Sequence, residues 1–232
     1  MYKGSQWQPW GCMMHRYTKT DSERCFRYNN FWGKKNHLVY VGDERVRQLY
    51  SATRRWLEAG QEPATMWEES KRHTNTQERS NLSWESGALN LRVEFLWAPL
   101  VDDAMTKALS KWHTGPGPTV LVLGAGTSAI LSSNGSEVSL DEHRRNLTKL
   151  RPDLENIAEF GGSKVLWGLQ VRNGASVSLI FTFPFQPPVY WERLNGTGHA
   201  LTNSAIQQYN AESGRVFRNS PVAVSLLSKY SP

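Results

Sequence analysis

The sequence is poor in cysteine, in long apolar runs and in concentrated charge of either sign. Cys12 and Cys25 are the only two cysteines in 232 residues. Two thiols exclude a disulfide-dense scaffold and a four-cysteine zinc site, leaving one local disulfide or two unrelated buried thiols. No stretch reaches the roughly 20 apolar residues of a membrane helix. The longest candidate, Val177 to Phe185, is short and is broken by Pro184. The start, Met1-Tyr2-Lys3-Gly4-Ser5, has no hydrophobic signal core, so the chain reads as cytosolic or as a fragment without its targeting segment. The formal net charge is +6, but Arg45, Arg47, Arg54, Arg55, Arg144 and Arg145 are scattered, and zinc-finger and RNA-recognition signatures are missing. Nucleic acid is therefore not an expected partner. An acidic sugar or nucleotide fits the charge equally well. His15, His37, His113 and His199 lack ligand spacing, and no metal is expected.

The remaining composition is that of a folded domain, with 39% hydrophobic and 21% charged residues. Ten tryptophans are many for the length and suit either a core or a carbohydrate cleft. Asn81-Leu-Ser, Asn134-Gly-Ser, Asn146-Leu-Thr and Asn195-Gly-Thr are N-glycosylation sequons. Together with the cysteine pair they point toward the secretory pathway.

Residues 1–35 read as polar, aromatic and irregular. His37-Leu-Val-Tyr-Val41 is a short β-branched and aromatic run that stops at Gly42-Asp43, a buried strand and a tight turn. Val46, Leu49, Tyr50, Thr53, Trp56 and Leu57 then recur at helical spacing up to Gly60, and Arg45, Gln48, Arg54, Arg55 and Glu58 form the expected solvated face. The segment 61–90 reads as a loop or insertion. A second strand spans Leu91–Trp97 and ends before Pro99. A helix is marked by Val101, Met105, Leu109 and Trp112. The third strand, Thr119–Leu123, runs into Gly124-Ala125-Gly126. Leu140, His143, Leu147, Leu150, Leu154 and Ile157 mark a third helix with a break expected at Pro152. Lys164–Leu169 is a fourth strand, and Thr202 or Asn203 caps a last helix through Tyr209.

Alternating strands and helices imply a mainly parallel sheet covered on both faces, with ligands bound beyond the carboxyl ends of the strands. That places Gly42-Asp43-Glu44, Leu96-Trp97 and Gly124-Ala125-Gly126 along one rim. Asp43 is a catalytic candidate beside Glu44 or simply holds the turn. Glu44 is either a catalytic group or a first-turn acid favoured by the helix dipole. Gly124 and Gly126 either free backbone N–H groups for an oxyanion hole or simply make the turn.

Val39-Tyr-Val-Gly-Asp-Glu-Arg-Val-Arg-Gln-Leu-Tyr50 resembles the first conserved block of SGNH hydrolases, and within them the luminal domain of the sialate O-acetyltransferase family, through Arg45 and Arg47-Gln48-Leu49-Tyr50. Trp7-Gln-Pro-Trp-Gly-Cys-Met-Met-His15, Val93–Pro99, Leu121–Ile130 and Asn203–Asn210 are similar to further blocks of that family, in order along most of the chain. The resemblance implies a single three-layer α/β/α, flavodoxin-like SGNH domain over 1–232. It implies a Cys12–Cys25 disulfide, glycosylation at Asn81, Asn134, Asn146 and Asn195, and a Golgi setting, with membrane contact only through flanking spans absent from this chain. It also implies acetyl transfer from acetyl-CoA, with no resident cofactor, to sialic acid or CMP-sialic acid. Gly124, Ala125 and Gly126 become oxyanion candidates, and Arg45 and Trp97 substrate-binding candidates.

The sequence departs from the family in three places. Glu44 stands where the family has its nucleophilic serine, and a carboxylate does not replace a hydroxyl for forming an acyl-serine. The family's Asp-x-x-His is absent from the 232 residues; Asp141-Glu142-His143 has the wrong spacing and lies in the third helix. Residues 171–186 interrupt the match and read as a retained intron, with a genuine surface insertion as the alternative. The expectation is a catalytically impaired relative, truncated at its C-terminus, or a non-catalytic sialic-acid-binding pseudoenzyme module.

Overall fold

The structure is a computed structural model that describes residues 18–59, 80–133, 136–170 and 202–225. Cys12, Asn134, Asn195 and the 171–186 segment lie outside the described residues, and with them the expected disulfide pairing, two of the four sequons and the expected insertion.

Strands β1 (Asn36–Gly42), β2 (Leu82–Ser86), β3 (Leu91–Trp97), β4 (Val120–Gly124), β5 (Lys164–Gly168) and β6 (Ala223–Ser225) form one sheet in the order β2-β3-β1-β4-β5-β6. β2 is an antiparallel edge. The other pairings are parallel. With β2 set aside, the parallel strands follow the 2-1-3-4-5 order of flavodoxin-like doubly wound sheets, whose ligands sit at the switch point beside the first strand.

The helices are α1 (Lys19–Phe31), α2 (Glu44–Ala59), α3 (Asp103–Leu109), α4 (Thr127–Ser132), α5 (Glu137–Glu159) and α6 (Asn203–Val216). Alternation along β1 divides the core into two layers. Val39 and Val41 join Met105, Leu109, Leu147, Leu150, Leu154 and Ile157 under α3 and α5. Tyr40 packs with Val46, Tyr50, Leu57, Val93 and Phe95 under α2. The expected three-layer α/β/α arrangement is therefore observed.

Several local readings are corrected. The irregular N-terminal stretch contains α1, which Thr18 and Asp21 start with a reciprocal capping box. The loop expected over 61–90 contains β2, in which Leu82, Trp84 and Ser86 are half-buried and Ser83 and Glu85 exposed. Pro152 does not break α5, which keeps Leu154 and Ile157 on the core face. The exposed proline sits on the solvent side, where water can satisfy the carbonyl it leaves unpaired.

Candidate functional site at the strand ends

The rim begins at a glycine that tolerates no side chain. Gly42 pairs with Trp97 on one side and Gly124 on the other. Its carbonyl accepts the Ala98 N–H at 3.1 Å, while the Asp43 N–H donates to the Gly124 carbonyl at 3.3 Å. A Cβ at Gly42 would lie 2.1 Å from the Gly124 oxygen and 2.7 Å from Val46 Cγ2. The first turn of α2 thus sits directly on the glycines that end β1 and β4, and this close approach sets where Asp43 and Glu44 stand.

Asp43 caps α2. Its carbonyl accepts the Arg47 N–H at 3.0 Å, and its Oδ1 accepts the Arg45 N–H at 3.0 Å. The side chain is buried, and Oδ2 accepts no hydrogen bond among the described residues. Burial pushes its pKa up to about 6, against the opposing influence of the Arg45 charge, the Arg45 and Val46 amides and the Thr127 hydroxyl. The Thr127 hydroxyl, beside the carboxyl, also bonds Gln170 Oε1 at 2.6 Å. Asp43 is therefore a carboxyl that can hold or release a proton near neutral pH.

Glu44 stands at the strand-to-helix turn, as expected, and its carboxylate is occupied. Arg47 holds it in a two-pronged pair, with Nε–Oε2 at 2.6 Å and Nη2–Oε1 at 2.7 Å. Arg45 departs from the solvated face expected of it. It is half-buried, and burial lowers its pKa while the Asp43 carboxylate opposes that shift. Trp97 closes β3 half-buried, edge-on to Phe95 at 6.2 Å, and its N–H donates to Asn81 Oδ1 at 2.8 Å.

Gly124, Ala125 and Gly126 follow β4 on the same rim. Gly126 adopts φ +144, and its carbonyl accepts the Ile130 N–H that opens α4. A Cβ there would lie 3.3 Å from Gln170 Cγ and 3.6 Å from Tyr209 Cδ1. Gln170 is itself fixed: its N–H donates to Asn210 Oδ1 at 2.8 Å and its carbonyl accepts from Asn210 Nδ2 at 2.7 Å. Thr127, Gln170 and Asn210 were not among the residues the sequence reading singled out. They form a chain of contacts from α6 to Asp43, and the signal that could have found two of them is that Thr127 and Asn210 lie within the Leu121–Ile130 and Asn203–Asn210 blocks.

His143 does not serve the rim. It is buried on α5 with its ring 4.7 Å from that of Tyr209, and burial lowers its pKa to about 4. Its Nε2 has no partner among the described residues. Of the remaining sites, Asn81 is exposed just before β2, Asn146 is half-buried on α5, and Cys25 is exposed on α1. No helix among the described residues is long and apolar enough to cross a membrane.

A mainly parallel α/β/α sheet in this strand order defines the doubly wound α/β class, and comparison with known proteins narrows it. The chain is 29% identical over 223 residues to the N-acetylneuraminate (7)9-O-acetyltransferase of Danio rerio. The alignment takes in 95% of this chain and 24% of that protein, so the chain spans about a quarter of the curated relative it matches. No family model matches the chain. A likeness running along nearly the whole chain supports a relationship to the sialate O-acetyltransferases.

Proposed function

We propose that this chain is an SGNH-type domain of the sialate O-acetyltransferase family, that its rim binds sialic acid or CMP-sialic acid, and that it does not carry out acetyl transfer. One observation carries the reading. Glu44 occupies the turn where the family places its serine, and its carboxylate is already held by Arg47 at 2.6 and 2.7 Å. An acyl-enzyme route needs a hydroxyl there to attack the thioester carbon of acetyl-CoA, release the CoA thiol and carry the acetyl group to the sugar. Glu44 has no hydroxyl to acylate, and its charge opposes the oxyanion that such an attack creates.

Recognition does not need that hydroxyl. Arg45, half-buried beside Asp43, is positioned to meet the carboxylate of a sialic acid. Trp97 supplies an apolar wall, and Gly124 to Gly126 let backbone approach the ligand closely. In this reading the domain works in the Golgi lumen, with Cys12–Cys25 bridged and some of its sequons glycosylated.

The test incubates the purified chain with acetyl-CoA and CMP-sialic acid while calorimetry follows binding. The expected result is binding without acetylated product, with affinity falling on the order of tenfold in Arg45→Leu. Sustained release of CoA with acetylated sugar would contradict the loss of catalysis. Absence of both binding and turnover would contradict the recognition half.

A further inference from the structure

The pole of the sheet opposite the rim carries the largest exposed aromatic surface among the described residues. Tyr28, Phe31 and Trp32, at the end of α1, are 64%, 80% and 61% exposed. They touch one another, Phe31 and Trp32 at 5.4 Å between ring centroids and Tyr28 and Trp32 at 6.2 Å. The stretch 24–35 that holds them contains Arg24, Arg27, Lys34 and Lys35, all exposed, and no carboxylate. Glu23, one turn earlier, pairs with Arg27 and Lys19. Lys34 and Lys35 lead directly into β1, so the patch lies at the amino ends of the strands, away from Asp43.

We propose that this patch seats the domain on an anionic lipid surface. Exposed aromatics on a soluble fold cost solvation unless something covers them. Trp, Tyr and Phe beside Lys and Arg match the chemistry of the bilayer interface, where rings enter the headgroup region and cations meet lipid phosphates and carboxylates. Single-stranded nucleic acid fits less well. It is bound by flat ring faces along a groove, and here the rings stand edge to face, with interplanar angles of 84° and 69°, at a helix end. The charge complementarity selects anionic over neutral lipid, for which phosphatidylserine serves as the probe. Seated this way, the domain turns the rim away from the membrane.

The experiment is flotation of the full 232-residue chain with vesicles of phosphatidylcholine alone or mixed with phosphatidylserine. The chain is expected to float with the mixed vesicles only. Phe31→Ser/Trp32→Ser should abolish flotation, and Lys34→Ala/Lys35→Ala should weaken it roughly 30-fold, from about fivefold per cation near the surface. Arg144→Ala/Arg145→Ala, on exposed positions of α5, should leave it unchanged. All four positions in the patch are exposed, so the variants are expected to keep the parental thermal midpoint, which separates lost contact from lost fold. Failure of the chain to float overturns the proposal, whether the patch is covered by residues 1–17, by a second copy or by nothing. Equal flotation of the parent and the aromatic variant overturns it in favour of unspecific charge. Capture of single-stranded RNA with no response to phosphatidylserine overturns it in favour of nucleic acid. None of these outcomes bears on sialic acid binding at the rim.

Discussion

Two buried carboxylates at the same sheet are shifted in opposite directions, and the contrast shows how burial and bonding partners compete. Asp43, at the end of β1, is 2% exposed, and Glu94, on β3, is 8% exposed. Burial raises both pKa values. At Glu94 that rise is outweighed by a 2.6 Å hydrogen bond to His37 and by the charges of Lys111, His37 and Arg92, so its pKa falls below the usual range. Arg92 Nη2 reaches its other oxygen at 2.6 Å. At Asp43 the caps and the neighbouring Arg45 do not overcome burial, and the value rises to about 6. Burial outweighs the partners at Asp43, and the partners outweigh burial at the less deeply desolvated Glu94. Both oxygens of Glu94 are engaged, by His37 and Arg92, whereas Asp43 Oδ2 has no hydrogen-bond partner among the described residues.

The contrast can be broken most severely by collapsing the rim. Gly42→Ala forces a methyl group to within van der Waals overlap of the Gly124 carbonyl. It is expected to destabilise by about 3 kcal/mol or more and to drive most of the protein into the insoluble fraction. Chemical denaturation of any soluble remainder measures the loss.

Asp43→Asn should act in the other direction. An amide keeps the Oδ1 cap on Arg45 and removes a poorly solvated charge. Between the ordinary aspartate value of 3.8 and about 6, the folded state holds a proton that the unfolded state has released, so stability falls as pH rises through that window and is flat above it. Asn removes that decline. The variant is expected to be more stable at pH 7.5 by up to about 3 kcal/mol, with no gain at pH 4. Thermal melts at the two pH values check this. A stabilising replacement is the mark of a residue retained for something other than the fold.

Glu94→Gln should destabilise by about 2 kcal/mol at neutral pH, because the charge facing His37, Arg92 and Lys111 is lost and one of the two accepting oxygens becomes an NH2. Its lowered pKa gives the opposite pH dependence. The stabilisation is present above the ordinary glutamate value and is lost as pH falls through the folded one. Glu44→Ser is expected to be the mildest change, about 0.5 kcal/mol from the lost pair with Arg47 in the first turn of α2. A much larger loss would mean that Glu44 is needed by the fold.

The sequence made the central elements legible where their hydrophobic pattern was strong. β3 was read at its observed bounds, and α2 was carried by Val46, Tyr50 and Leu57, which are all buried. α1 was not legible because it has no buried residue and hence no apolar stripe, and its capping box was the one signal to find. β2 alternates over only five residues inside a polar stretch. At the site, Gly42, Asp43 and Glu44 followed from the strand-to-helix turn. Arg45 was assigned to the solvated face because helical spacing does not register the proximity of the Asp43 carboxylate. Gln170 and Asn210 escaped because they are 40 residues apart in sequence and meet only through the crossover from β5 to α6.

Carboxyl-carbon NMR titration of the chain labelled at aspartate and glutamate tests the central contrast most directly. The account predicts that Asp43 titrates near 6, while Glu94 titrates below the ordinary glutamate value. If both titrate at ordinary values, the rim carboxyl is not held in reserve, and the case for a ligand site at Asp43 fails.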